Sequence, residues 1–496
     1  MVLGTSGNRG ARMNQPLMHN TSAQHGAGAL ETASELAKAG KYGKALQLLL
    51  VLLRQDPSNV RVLDLTATCY LEIGDSQTAV RLLELLADSN PALPQAWGKL
   101  AAVRATSGDK AGAVQAFEQA LSQAPGDVGL LAARNRLEPF ASDSSAAARL
   151  RAAVQNTGAS QRDRILSHFA LGVIEDRAGA PATAFDHYAQ ANALTETGYD
   201  HAFQDARLHA QLAADWTGSA CGEAADAPRM LFVTGLPRSG TTLLETCLTR
   251  HSQIDSIGES EALSKTAAAV RRYAAGRYGD TGWWNWLGRL GREELEQFRT
   301  LFLHNAFPMG RPDAAVVVDK MPLNCFEMGL AHFLLPNARF LFLSRHPLDA
   351  GLSIFTMNFG AGHWYSSRLE WIGHMTRCVY GSLLDYQAKL GETLRVQSFE
   401  ALVTGPEAQI RSVLQHAGLE WEEDCLSPEQ NTRAVRTASL MQVRDSINTA
   451  GLEKWRRYEA QLEPLKEALG GQAWIDQWQQ WDRNAAKTGR LVPDAA

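Results

Sequence analysis

Small and apolar residues recur along the first 127 positions of the chain at a fixed interval of 34. Gly40, Gly74 and Gly108 keep that spacing, as do Ala45, Ala79 and Ala113, and Pro57, Pro91 and Pro125. Ala33, Ala67 and Ala101, with Leu49, Leu83 and Phe117, complete the register. Each unit reads as two amphipathic helices: the glycine turns between them, the alanine lets them approach closely, and the proline ends the second. A looser fourth unit keeps the same offsets at Gly172, Gly179, Ala184, Tyr188 and Ala191. After an Ala/Asp-rich linker the pattern changes to short β-rich runs between helical stretches. These runs are Met230 to Thr234, Ala315 to Val318, Arg339 to Leu343 and Leu394 to Gln397. Apolar runs alternating with helices predict a parallel sheet with crossover helices, whose ligands bind beyond the carboxyl ends of the strands.

The 34-residue period resembles the tetratricopeptide repeat. The fold expected is therefore an α-helical repeat solenoid followed by an α/β P-loop-like domain with a parallel sheet. The divisions expected are a disordered segment over 1–27, helical repeats over 28–215, and the α/β domain over 226–490. Repeats name an architecture and not a ligand. A concave surface that binds a peptide or partner protein and a helical platform that shields or pairs the second half both fit.

Composition narrows the classes. Of 496 residues, 45% are hydrophobic and 20% charged, with a formal net charge of −5, so no global basic field argues for nucleic acid. No run approaches the roughly 18 apolar residues of a membrane span, and the polar start of the chain lacks the apolar core of a secretory signal. The six cysteines, Cys69, Cys221, Cys247, Cys325, Cys378 and Cys425, form no C-x-x-C pair. They read as reduced thiols of a cytoplasmic protein, and their spacing gives no structural zinc site.

The chemistry sits after the strands. Gly235-Leu-Pro237-Arg238-Ser239-Gly240-Thr241-Thr242 has the glycine spacing of a nucleotide P-loop, but Thr241 stands where the lysine should be. Such a loop cradles an anion with backbone N–H groups at a helix N-terminus, yet lacks the lysine that contacts the phosphates of a nucleoside triphosphate. Lys320 follows the second run. Arg345 follows the third, with Ser353 eight residues on, a pair suited to one further phosphate. Glu259 lies between the first two runs, where a carboxylate near an anion loop makes sense as a proton acceptor. Taken singly, each has a plainer reading: a tight turn, a surface lysine, an Arg345–Asp349 ion pair, a charge at a helix start.

In this order the elements resemble the PAPS-dependent sulfotransferases, closest in pattern to the tyrosylprotein sulfotransferases and their bacterial relatives; PAPS is 3′-phosphoadenosine 5′-phosphosulfate. The resemblance spans roughly residues 228–490. It implies that Pro237, Arg238, Ser239, Gly240, Thr241 and Thr242 hold the 5′-phosphosulfate, and that Arg345 and Ser353, with Lys454, hold the 3′-phosphate. It also implies that Phe399, in Phe399-Glu-Ala-Leu-Val403, lies near the adenine. Phe399 replaces the family's tyrosine, which leaves only stacking there. By the same resemblance Glu259 is the catalytic base, 21 residues beyond the loop arginine, while Lys320, Arg238 and Ser439 stabilise charge on the transferred group. PAPS is the expected co-substrate and no metal is expected. Arg444-Asp-Ser-Ile departs from the basic, proline-containing run of the protein-tyrosine enzymes, which leaves the acceptor open among a protein tyrosine and other hydroxyls. His363 and His251 are alternative bases. Trp283, Trp284 and Trp286 either wall an acceptor pocket or pack a helical subdomain. Two other classes compete: a repeat scaffold that binds PAPS without turnover, and a P-loop kinase. The kinase is disfavoured by the missing lysine.

Overall fold

The computed structural model describes residues 19–195, 198–216, 228–308, 310–359, 362–431 and 446–492, with main-chain detail only over 19–27. The chain forms two compact units, 1–134 and 135–496.

In the first unit the 34-residue register is realised as helix pairs. His19–Lys38 precedes Tyr42–Gln55, Val60–Glu72 precedes Ser76–Ser89, and Pro94–Thr106 precedes Lys110–Gln123. The repeated alanines, Ala33, Ala67 and Ala101 with Ala45, Ala79 and Ala113, are at most 1% exposed, because each sits where two helix backbones meet. Gly40, Gly74 and Gly108 take φ of +71°, +90° and +92°, a left-handed turn that favours glycine. Asp75 and Asp109, also 34 apart, each accept from a backbone N–H of the helix they precede, capping it. The first helix already runs from His19. Part of the segment expected to be disordered, residues 19–27, is thus helical, and no proline interrupts it. Residues 1–18 lie outside the described residues.

The second unit holds a five-stranded, all-parallel sheet. Its strands are β1 (Arg229–Gly235), β2 (Ile254–Ser256), β3 (Val316–Lys320), β4 (Arg339–Ser344) and β5 (Leu394–Ser398), in the order β2-β3-β1-β4-β5. The four expected runs are β1, β3, β4 and β5. β2 was not expected, being a three-residue edge strand whose residues Ile-Asp-Ser carry no apolar run of their own. Alternate side chains enter two separate cores. Leu231, Val233, Leu341 and Leu343 pack with the helices Thr241–Leu248 and Pro406–Ala417, while Phe232, Phe340 and Phe342 face a larger cluster that includes the helix Leu369–Leu390. Burial on both faces explains why these strands read as continuous apolar runs.

The helices Gln161–Arg177, Pro181–Ala193 and His201–Ala213 belong to this second unit, although their pattern placed them with the repeats. Phe169, Ala184, Tyr188 and Ala191 join the larger core of the α/β domain, Phe185 stacks on Phe355, and Asn192 Nδ2 donates to the Phe355 carbonyl at 2.8 Å. Helical periodicity marks an apolar face but not the core that the face will join.

Candidate active site

The carboxyl ends of four neighbouring strands bring the expected residues into one row. β1 runs into the Gly235–Thr242 loop, β3 ends at Lys320, β4 delivers Arg345 and β5 delivers Phe399. Strand pairing sets their spacing, with Val233 opposite Lys320, Gly235 opposite Leu343, and Ser344 opposite Ser398.

The loop is held tightly. Arg238 has φ of +70°, unusual for a side-chain-bearing residue, and Gly240 has φ of +102° at the cap of the helix Thr241–Leu248. A β-carbon on Gly240 would come within 2.3 Å of the Phe399 ring, so only glycine lets that ring close over the loop. Thr241 and Thr242 are buried at the helix start, and Pro237 is buried in the turn. Ser239 is 1% exposed, and its Oγ lacks a hydrogen-bond partner.

Beside the loop, Arg238 Nε donates to Ser353 Oγ at 2.9 Å. Burial, then the nearby Arg345, pushes the Arg238 guanidinium down to about 10. Arg345 donates to the Arg238 carbonyl at 2.7 Å and to the Gly451 carbonyl at 2.6 Å, while its guanidinium lies 4.6 Å from the Phe399 ring centre. Its buried Nε has no partner. Asp349 does not pair with Arg345 by a direct contact; it accepts the backbone N–H groups of Glu453 and Trp455 at 2.8 and 2.9 Å, which fixes the position of Lys454 between them. These groups surround a cavity of about 360 Å³, bordered by Arg238, Gly240, Arg345, Ser353, Phe399 and Lys454. Val173, Asp176 and Tyr188, from the two helices 161–177 and 181–193, close another side. Asp176 is latched to the C-terminal segment: Arg457 NH2 lies 3.0 Å away, and the Tyr458 hydroxyl donates to the same carboxylate.

Lys320 and Glu259 form a second group, on the β3 side of the loop. Lys320 is fully buried, not a rim lysine; its Nζ donates to Glu259 Oε1 at 2.5 Å and lies 3.6 Å from Glu245 Oε2. Glu245 sits on the loop's own helix and accepts from Ser256 Oγ at 2.5 Å. Burial, then Glu245, holds the Asp319 carboxyl well above the usual carboxylate range, against the pull of Lys320. One ammonium thus serves several carboxyl groups. The Glu259 side chain is 38% exposed, and the Lys320 contact engages one of its two oxygens.

Ser439, and Arg444 with Asp445 of the Arg444-Asp-Ser-Ile stretch, lie outside the described residues. His251 is 3% exposed, and its Nε2 is 3.0 Å from the Glu420 carbonyl; His363 stacks on Phe359. Trp286 is core, Trp284 packs against Trp216 and Trp286, and Trp283 lies under Arg207 and Arg271, so the cluster packs helices rather than bordering the cavity. Sequence reading missed Glu245, Asp176, Tyr188 and Arg457. Glu245 was the most legible of these, one turn into the loop helix; Tyr188 stood out only as a position of the fourth repeat-like unit, and Asp176 and Arg457 had no local motif.

Residues 228–423 match the model of the sulfotransferase family, and residues 36–103 match that of the tetratricopeptide repeat. The chain thus joins a region similar to the tetratricopeptide repeat to a sulfotransferase-like α/β domain. An uncharacterized protein of Aquifex aeolicus is 31% identical over 58% of this chain, which spans 39% of that relative's length. A putative protein-tyrosine sulfotransferase of Caenorhabditis briggsae is 25% identical over 46% of this chain and 80% of its own. The sulfotransferase domain of the Synechococcus PCC 7002 olefin synthase is 16% identical, covers 49% of this chain and 91% of its own, and has a TM-score of 0.34. Among the described residues no helix is long and apolar enough to cross a membrane.

Proposed function

We propose that this chain transfers the sulfuryl group of PAPS to an acceptor hydroxyl. The observation that carries the reading is the convergence of Arg238, Arg345, Ser353, Gly240 and Lys454 on one cavity at the carboxyl edge of the sheet. The unpartnered buried atoms Ser239 Oγ and Arg345 Nε fit a ligand rich in anionic oxygens. PAPS when bound supplies an activated sulfuryl group on a phosphate leaving group.

The chain's own residues divide the work. The loop N–H groups with Pro237, Ser239, Thr241 and Thr242 hold the 5′-phosphosulfate at the helix N-terminus. Arg345, Ser353 and Lys454 hold the 3′-phosphate, which distinguishes this ligand from ordinary nucleotides. Phe399 supports the loop glycine and the Arg345 guanidinium, leaving stacking as its contribution to adenosine binding. Glu259 accepts the acceptor's proton through the oxygen outside the Lys320 contact. Lys320 and Arg238, with Ser439, stabilise charge that develops as the group moves in line between oxygens. The tetratricopeptide region is an interaction surface, and a peptide or protein acceptor follows if it holds the substrate.

Incubating the protein with PAPS and a peptide library, then searching by mass spectrometry for added sulfate and measuring 3′-phosphoadenosine 5′-phosphate release, tests the reading. PAPS binding with no release across phenol, sugar and peptide acceptors would replace the enzyme with a binding scaffold.

A further inference from the structure

Apart from the residues that border the cavity, two helices of the second unit place a second constellation side by side. His201 and Asp205 are four residues apart on the helix His201–Ala213, and His374 and Cys378 are four apart on the helix Leu369–Leu390. Residues at that spacing share a helix face. The two pairs face each other. His374 Nε2 lies 3.0 Å from Asp205 Oδ1, and Cys378 Sγ lies 3.9 Å from both Asp205 Oδ1 and His374 Nδ1. The His201 and His374 rings are 4.6 Å apart, centre to centre. Donor atoms of Asp205, His374 and Cys378 all lie within 4.8 Å of one another.

We propose that Asp205, His374 and Cys378 hold a zinc(II) ion that staples the two helices, with the neighbouring His201 as the fourth ligand to be drawn in. Sulfur, nitrogen and carboxylate donors are the set that zinc selects over calcium or magnesium. A tetrahedral zinc ion requires donor atoms about 3.4–3.6 Å apart, given its bond lengths of about 2.0–2.3 Å. The Nε2–Oδ1 and Sγ–Oδ1 separations of 3.0 and 3.9 Å lie either side of that range, so small side-chain rotations bring these three donors to it. Tyr199 supplies the outer support: its hydroxyl lies 2.8 Å from His374 Nδ1, the nitrogen left over when Nε2 binds metal. As the zinc–sulfur bond forms, the Cys378 thiol gives its proton to solvent.

The test uses the full-length protein, stripped with a chelator and dialysed. Titration with zinc(II) against a chromophoric competitor should give one equivalent bound. Cobalt(II) in its place should give a thiolate-to-metal charge-transfer band in the near ultraviolet. Cys378→Ser should abolish that band, and Cys378→Ser and His374→Ala should each weaken zinc binding more than 100-fold. Tyr199→Phe, which keeps the packing, should weaken it roughly 10-fold. Zinc should raise the Tm of the wild type and leave that of Cys378→Ser unchanged. Absence of stoichiometric binding, absence of the charge-transfer band in the wild type, or wild-type affinity in Cys378→Ser overturns the assignment.

Discussion

Arg345→Ala separates donor recognition from loop support. The guanidinium carries five N–H donors, and the Arg238 and Gly451 carbonyls take two of them. The residue borders the cavity, and its buried Nε has no partner. Hydrogen bonds to a charged group contribute about 1.5–3 kcal/mol each, so losing one or two of them to a 3′-phosphate costs about 2–4 kcal/mol, roughly a 30- to 1,000-fold weaker Kd. Truncation also frees two carbonyls and uncovers Phe399, and that loosening affects any nucleotide in the cavity. Two ligands divide the contributions. Titration calorimetry with 3′-phosphoadenosine 5′-phosphate reads both effects, and adenosine 5′-phosphate reads only the loosening. The expected result is a large loss for the first ligand and a small one for the second. Equal losses for both would refute the 3′-phosphate role and leave Arg345 as a structural brace.

Glu259→Ala should lower kcat by roughly 10²–10⁴-fold while leaving the Kd for 3′-phosphoadenosine 5′-phosphate within a few-fold, since Glu259 lies outside the cavity lining; unchanged turnover would move the base elsewhere. Asp176→Ala releases Arg457 and Tyr458 from the helix 161–177 and should weaken the same nucleotide about 3- to 10-fold, whereas wild-type affinity would mean that the latch does not shape the cavity. His416, with Nε2 3.1 Å from the Phe340 carbonyl, is pushed down by burial to about 4. Between about pH 6.5 and 4 the unfolded chain binds the proton that the folded one refuses. Stability therefore falls on acidification through that window by about 2–3 kcal/mol from this group. His416→Gln keeps a donor for the carbonyl, and urea unfolding at pH 7 and pH 4.5 should show a smaller difference than in the wild type; an identical difference would assign the acid sensitivity to other groups.

The repeats and the strands with the residues at their ends were legible along the chain, for a local reason. A helix pair needs its glycine turn and its alanine contact at fixed offsets, so Gly40, Gly74 and Gly108 and their companions are legible as spacing. A strand buried on both faces must be apolar throughout, so β1, β3, β4 and β5 stand out, and the loop, Lys320, Arg345 and Phe399 follow directly from their ends. The three-residue β2 lacked the length to signal. Tertiary structure alone decided which core each helix joins. It turned the 161–177 and 181–193 helices from repeat-like segments into walls of the cavity, and tied Lys320 between Glu259 and Glu245 where a surface lysine was the plainer reading. It also set His201 and Asp205 against His374 and Cys378, across about 170 residues of chain. Cysteine spacing carries no trace of that meeting, because proximity there comes from the packing of two helices and not from any pattern along either one.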